Sequence, residues 1–388
     1  MGQIMRGRAA GAAGGSPMIA PPKIQQESVL SQALERVVRV GVDLAKQVIQ
    51  VHAVAADGQV IARRALARER FLAWCGQLPP GTLVAMEASG GAHHWARCLR
   101  ELGLDARLVA AHFTAAYRLQ GHTGKNDAND AAAICEAASR PRMHFVPVKT
   151  PAQQGLMSLH RLREGFKAER TACLNRVRGL LAEFGLVFAR SPQALRAGLG
   201  TVLATPPAVV DDNGLLGLRI AAQHLAQLDA QLADCDRAIG AHARRDERVA
   251  AVAQLQGIGP LGASALVAGV GDFAAFRNAP QFAAWLGLTP RQHSSGGVAR
   301  LGRITKRGDE YLRTLLIQGA KSAVLTAHTR QDAISRWALQ LRARVGWQKA
   351  AVALANKNAR IVWALLWRGG RFEPDHPPRG HLLQPALF

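Results

Sequence analysis

The chain has 388 residues, with 49 Lys and Arg against 27 Asp and Glu, for a net charge of +22 at neutral pH. That length allows two or three domains, each with its own core, and the imbalance argues for a polyanionic partner, nucleic acid first and an anionic membrane second. No apolar run approaches the ~20 residues that span a bilayer, and the five scattered cysteines, without a Cys-x-x-Cys, speak against a disulfide framework or zinc site and for a cytoplasmic protein.

Residues 1–36 are rich in Gly, Ala, Pro and Gln, lack periodicity, and read as a disordered basic arm without the apolar core of a secretory signal. Order is expected from Val37. Val37–Asp43 and Val48–Val54 read as β-branched strands, Asp57-Gly58 as a hairpin turn, and Gln59–Ala62 as the start of a third strand. A helix is expected around Ala67 to Cys75, a short buried strand at Leu83–Met86 ending in Glu87, a helix near Ala92 to Leu102, and a strand at Ala106–Val109. Three antiparallel strands followed by alternating helix and strand predict a mixed sheet with helices on its faces over residues 37–150. Within it, Gly124–Ile134 opens an alanine-rich helix whose Asp127 and Asp130 share a face. Taken alone, the pair is better explained as capping of that helix.

Leucine spacing from Gln153 to Phe184 and from Leu215 to His242 predicts two long amphipathic helices. Joined by a loop, they suggest an antiparallel hairpin or coiled-coil arm over residues 151–250, usually a structural spacer or a contact between protomers. Gly257-Ile258-Gly259-Pro260 resembles the turn of a helix-hairpin-helix element, in which Gly257, Gly259 and the following amides hold a backbone phosphate. Residues 251–345 read as mostly helical, with helices at Asn278–Trp285 and Asp309–Ala327 on either side of a loop. A basic helix and a loose Pro-rich tail occupy 346–388. The fold class is therefore α/β plus α.

The loop Gly287–Gly297 carries the sequence Gly-Leu-Thr-Pro-Arg-Gln-His-Ser-Ser-Gly-Gly, and Arg300, Arg303, Lys306 and Arg307 follow it. Arg291 and these cations suit phosphate oxygens. A serine held beside a phosphate can act as a nucleophile; a solvated Ser-Gly loop is the plainer reading of the stretch alone. Asp43 and Glu87 each end a strand, and Asp127 and Asp130 lie on a later helix. In a ribonuclease-H-like sheet, with the first strand central and the fourth beside it, these four acids converge. Crowded carboxylates need a counter-charge, and a pair of hard cations such as Mg²⁺ provides it while leaving coordination positions for phosphate. Asp57, Asp105 and Glu136 are weaker choices, Asp57 as a turn residue and Asp105 because it precedes a strand.

Val42–Lys46, Met86–Gly90, Lys125–Ala131, Gly257–Pro260 and Gly287–Gly297 resemble, in order, the motifs of the DEDD transposases of the insertion sequence 110 family, relatives of the Piv-type DNA invertases. The likeness spans about residues 37 to 345. It implies a RuvC-like nuclease domain with Asp43, Glu87, Asp127 and Asp130 as catalytic Mg²⁺ ligands, and a transposase domain with a catalytic serine. That serine corresponds to Ser295, with Ser294 an in-register neighbour, and the doublet leaves both open. The implied activity is cutting and rejoining of donor and target DNA by a homo-oligomer guided by a structured non-coding RNA. Serine and carboxylates lie in separate domains, which allows one active site to draw on two protomers. Two other readings use the same residues: a water-using, junction-resolving metal nuclease, and a non-enzymatic nucleic-acid-binding protein.

Overall fold

A computed structural model describes residues 32–118, 127–293, 300–369 and 372–373, apart from the side chains of Asp127 and Ala128. The chain forms two compact units, residues 1–148 and 149–388. Among the described residues, no helix is long and apolar enough to cross a membrane.

The first unit is built on a six-stranded sheet: β1 (Val37–Leu44), β2 (Val48–Ala55), β3 (Val60–Ala67), β4 (Leu83–Glu87), β5 (Asp105–Val109) and β6 (Phe145–Val146), in the order β3-β2-β1-β4-β5-β6. The first three strands form an antiparallel meander, and β1, β4 and β5 run parallel. The Asp57 carboxylate accepts from the Gln59 amide at 2.9 Å, so this acid is a turn residue. The third strand runs through Ala67, where a helix was expected to begin, because the long β2 offers it a ladder as far as Val48 opposite Ala67. Helix α1 is consequently short, Phe71–Cys75.

Alternation along the strands separates the two faces of the sheet. Val40, Val42, Val84, Met86 and Leu108 join a core with Phe71 and with Trp95 and Leu99 of α2 (Ala92–Glu101). Ala85 and Val109 face the other way and pack with Ile134 and Ala138 of α3 (Asp127–Ala138). Helix α3 reaches the sheet at Gly41, where a Cβ would lie 2.1 Å from the Ala131 carbonyl oxygen and 2.4 Å from the Cys135 nitrogen. Only a residue without a side chain permits that approach.

The second unit is helical. Helix α4 (Pro151–Glu183) starts at a capping box in which Thr150 and Gln153 bond each other's backbone, with Pro151 in the first turn. Between the two arm helices the chain forms α5 (Pro192–Ala204), because Ser191 caps it and Pro192 fits the first turn. Helix α6 (Asp212–Arg245) is capped by Asp211. Arg163 pairs with Asp236 and Arg170 with Asp229, so the partner moves back along α6 as α4 advances. The two helices are therefore antiparallel, and Leu174, Val177, Leu181, Leu218, Leu225 and Leu228 fill the seam. The body comprises α7 (Glu247–Val252), α8 (Pro260–Val270), α9 (Ala279–Trp285), α10 (Glu310–Thr326), α11 (Ala333–Val345) and α12 (Trp347–Arg368), around a core that includes Leu266, Phe282, Leu312 and Leu354.

A buried histidine joins three helices of this unit. His160 on α4 is fully buried, with Nδ1 2.9 Å from the Tyr311 hydroxyl and Nε2 3.1 Å from Ser264 Oγ. Burial, with Arg163 and His242 adding to it, pushes its pKa down to about 4. The folded state thus refuses a proton that the unfolded chain accepts near pH 6.5.

Two predictions follow from these contacts. Gly41→Ala should force α3 from the sheet and cost about 3 kcal/mol, read as a lower urea midpoint for the first unit. For His160, the stability held by the neutral ring is complete above about pH 6.5 and is lost as pH falls toward 4, by about 3 kcal/mol in all. His160→Asn should flatten the stability-against-pH curve in that window, measured by chemical denaturation.

Candidate active site

Val42 of β1 lies opposite Met86 of β4 in a parallel register, so Asp43 and Glu87 are the next residues on neighbouring strands at one sheet edge. By alternation they share the face of Gly41 and Ala85, which α3 covers. Asp130 sits on α3 beside Ala131, the residue in closest approach to Gly41, and is buried at 8% exposure. Glu87 Oε2 accepts from Thr114 Oγ1 at 3.0 Å. Arg118 then joins the two elements: its Nε is 2.8 Å from Asp130 Oδ1 and its Nη2 is 3.6 Å from Glu87 Oε2.

The structure therefore brings Asp43 next to Glu87, and links Glu87 to Asp130 through one guanidinium. The Asp127 side chain lies outside the described residues; its backbone opens α3 one turn before Asp130. Among the described residues, no group of three or more His, Cys, Asp or Glu is gathered to hold a metal ion. The donor chemistry nonetheless suits a hard divalent cation, since carboxylate oxygens are its preferred ligands. Two of these carboxylates already share a cation, the guanidinium of Arg118. The weaker acids have local partners: Asp105 pairs with Arg107, and Glu136 with Arg140, just past the end of α3.

Ser294 and Ser295, with Gly296 and Gly297, lie outside the described residues, but the frame that carries them does not. Strands β7 (Pro290–Gln292) and β8 (Leu301–Ile304) form an antiparallel ribbon that the His293 amide extends by donating to the Arg300 carbonyl at 2.8 Å. The sequence pointed only to a loop here. A side chain at Gly302 would meet His293 at 3.5 Å and Arg291 at 3.7 Å, so these two share a face of the ribbon. Arg291, Arg300, Arg303, Lys306 and Arg307 are all exposed.

The base of the ribbon is a backbone crossing. A Cβ on Gly308 would lie 1.9 Å from the Trp285 carbonyl oxygen, and one on Gly287 would lie 2.4 Å from that of Arg307. Lys306 is held in the left-handed region at φ 55°, a conformation that costs a non-glycine residue about 1 kcal/mol or more. Arg313, 7% exposed, donates through Nη1 to the carbonyls of Leu286 at 3.3 Å and Gly308 at 3.4 Å, one on each arm. Asn356 Nδ2 donates to the Leu288 carbonyl at 3.2 Å. Arg118, Thr114, Arg313 and Asn356 carry no motif and escaped the sequence reading. A lone arginine at the fourth position of an otherwise apolar helix face, as at Arg313, was the one available hint.

Gly257, expected to face a phosphate, has a packing task. Its φ is +82°, and a Cβ on Gly319 of α10 would lie 1.6 Å from the Gly257 carbonyl oxygen. The turn is pinned further by the Asn358 side chain, which donates to the Gln256 carbonyl at 2.8 Å. Gly259 stands in open space at the start of α8.

Comparison with known proteins gives the chain its place. Residues 40–185 match a model of the DEDD transposases of IS110, described as "Transposase". Residues 249–336 match one described as "Transposase IS116/IS110/IS902 family". A probable family 20 transposase of Pseudomonas aeruginosa is 52% identical over 337 residues, 87% of this chain and 98% of that one. The chain belongs to the IS110 family of insertion-sequence transposases. The transposase for insertion sequence element IS1111A of Coxiella burnetii is 39% identical, covering 84% of this chain and 89% of its own. That for IS1328 of Yersinia enterocolitica is 34% identical, covering 87% and 99%. An IS110-family transposase acts on DNA, cutting and rejoining it.

The fastening of the ribbon generates a prediction. Arg313→Leu removes the donor that the Leu286 and Gly308 carbonyls share and should loosen the ribbon. Trypsin cleavage after Arg303, Lys306 and Arg307 should then speed up about ten-fold, the kinetic equivalent of roughly 1.4 kcal/mol, with other cleavage sites unchanged on a mass-spectrometric time course.

Proposed function

We propose that this transposase breaks and rejoins DNA with Ser295 as nucleophile, assisted by a RuvC-like, Mg²⁺-holding set of Asp43, Glu87, Asp127 and Asp130. The observation that carries the reading is the meeting of Asp43 and Glu87 on adjacent strand ends beneath the helix bearing Asp130. The sheet order, with β1 central and β4 beside it, supports a ribonuclease-H-like fold for this unit. Bound there, Mg²⁺ supplies Lewis acidity toward a phosphodiester and lowers the cost of ionising a hydroxyl.

The chain's own residues do the rest. The Ser295 Oγ–phosphorus bond forms as the bond from phosphorus to the leaving sugar oxygen breaks, and the hydroxyl proton ends on that oxygen. The phosphoserine ester keeps the energy of the broken bond, so rejoining needs no nucleotide cofactor. Arg291 and Arg300 offset charge on the pentacoordinate phosphorus. Arg303, Lys306 and Arg307 hold backbone phosphates, and that binding weakens steeply with salt. A structured RNA pairs with donor and target DNA, which leaves the protein few bases to read. The α4–α6 arm supplies contacts between protomers in a homo-oligomer.

Ser295 is assigned over Ser294 because it directly precedes Gly296, where a backbone without side chains can approach a phosphate. Ser295→Ala should abolish the covalent protein–DNA adduct on a denaturing gel of labelled DNA and should stop strand exchange, while Ser294→Ala should weaken both. An adduct lost only with Ser294→Ala moves the nucleophile back one residue. Metal-dependent cleavage that persists without any adduct in wild type and both variants points to the water-using nuclease instead.

A further inference from the structure

Glu87 and Asp130 come from a strand end and a helix, yet a single side chain, Arg118, contacts both. The contact to Asp130 is a charge-assisted hydrogen bond at 2.8 Å, and that to Glu87 a looser ion pair at 3.6 Å. The three groups differ in exposure. Asp130 is inside, its side chain 10% exposed, whereas that of Arg118 is 40% exposed. A buried carboxylate is costly unless paired, and two neighbouring carboxylates each disfavour ionisation of the other. The charge of Arg118 offsets both costs.

We propose that Arg118 is the resident counter-cation of the carboxylate site, holding Glu87 and Asp130 together while no divalent cation is bound and giving way when one binds. This rests on the Mg²⁺ reading above. The oxygen lone pairs that Arg118 engages are the ones a hard cation needs, so the two compete for Asp130 Oδ1. The geometry favours exchange. Arg118 ends the short turn Ala115–Tyr117 with extended backbone, φ −67° and ψ 125°, and its head already touches water, whereas Asp130 cannot leave its helix. Glu87 keeps the Thr114 hydroxyl as a second partner when Arg118 moves away. A site preformed around the guanidinium has its carboxylates aligned before metal arrives. Its apparent metal affinity is lowered by the fraction of molecules in which Arg118 is seated.

The test is Mn²⁺ binding by the full chain, followed through the electron paramagnetic resonance signal of unbound Mn²⁺, for wild type, Arg118→Ala, Arg118→Gln and Arg118→Lys. The expected result is about ten-fold tighter binding in the Ala and Gln variants, from removal of the competing cation, with Lys close to wild type because it keeps the charge. Circular dichroism checks folding, and the Gln variant carries the test where Ala fails to fold. Equal or weaker Mn²⁺ binding in the neutral variants overturns the proposal, and weaker binding marks Arg118 as a support for the metal ligands rather than their rival. Absence of Mn²⁺ binding in wild type and every variant overturns the Mg²⁺ reading itself, and with it this inference.

Discussion

Helix α3 lies against β1 at the distance of bare backbone. Gly41 makes that approach possible, and the position of every acid around it follows. With α3 seated there, Asp130 is buried beside the sheet edge where Asp43 and Glu87 emerge. A side chain at residue 41 would lift the helix and separate the carboxylates without touching any of them. The constraint is steric, but its product is electrostatic: a concentration of negative charge held at one end of the sheet, above the apolar clusters on its two faces.

The same device recurs in the second unit. Gly257 and Gly319 let the turn before α8 lie on α10, and Gly287 and Gly308 let the two arms of the β7–β8 ribbon cross. Close backbone contacts bring peptide carbonyls together, and these need donors. Arg313 and Asn356 supply them from α10 and α12. The ribbon is thereby tied to two helices of the core rather than carried on a loop, the kind of rigid support a reacting group needs.

Much of the first unit was readable because its signals are local. β-branched runs, the Asp57-Gly58 turn and alternation fix the strands, and Asp43 and Glu87 stand at their ends. Both arm helices were visible in their leucine spacing, which a seam of two helices demands. The misses have a common cause. The extension of β3 to Ala67 depends on β2 as a partner, α5 depends on a Ser191 cap that composition hides, and the ribbon depends on a ladder between segments too short to show a period. Gly257 was legible as part of a Gly-x-Gly turn between helices. Its neighbour Gly319, far along the chain, was not legible as the reason. Arg118 and Arg313 act through long-range contacts that no spacing encodes.

The accounting of acids sets the carboxylate site apart from the rest of a strongly basic chain. Asp211, Asp246, Asp309 and Asp332 cap helices. Asp229 and Asp236 clamp the arm through Arg170 and Arg163. Asp105 and Glu136 pair with arginines two and four residues away. Each of these acids has a task in the fold, as a helix cap, a clamp across the arm or a local ion pair. Glu87 and Asp130 do not fit that pattern. They sit on different elements, one of them buried, with a shared guanidinium between them. Burying a charge to no local purpose is unfavourable, and this arrangement of one buried and one half-buried acid under a helix packed through a glycine is the one the proposed divalent-cation site would use.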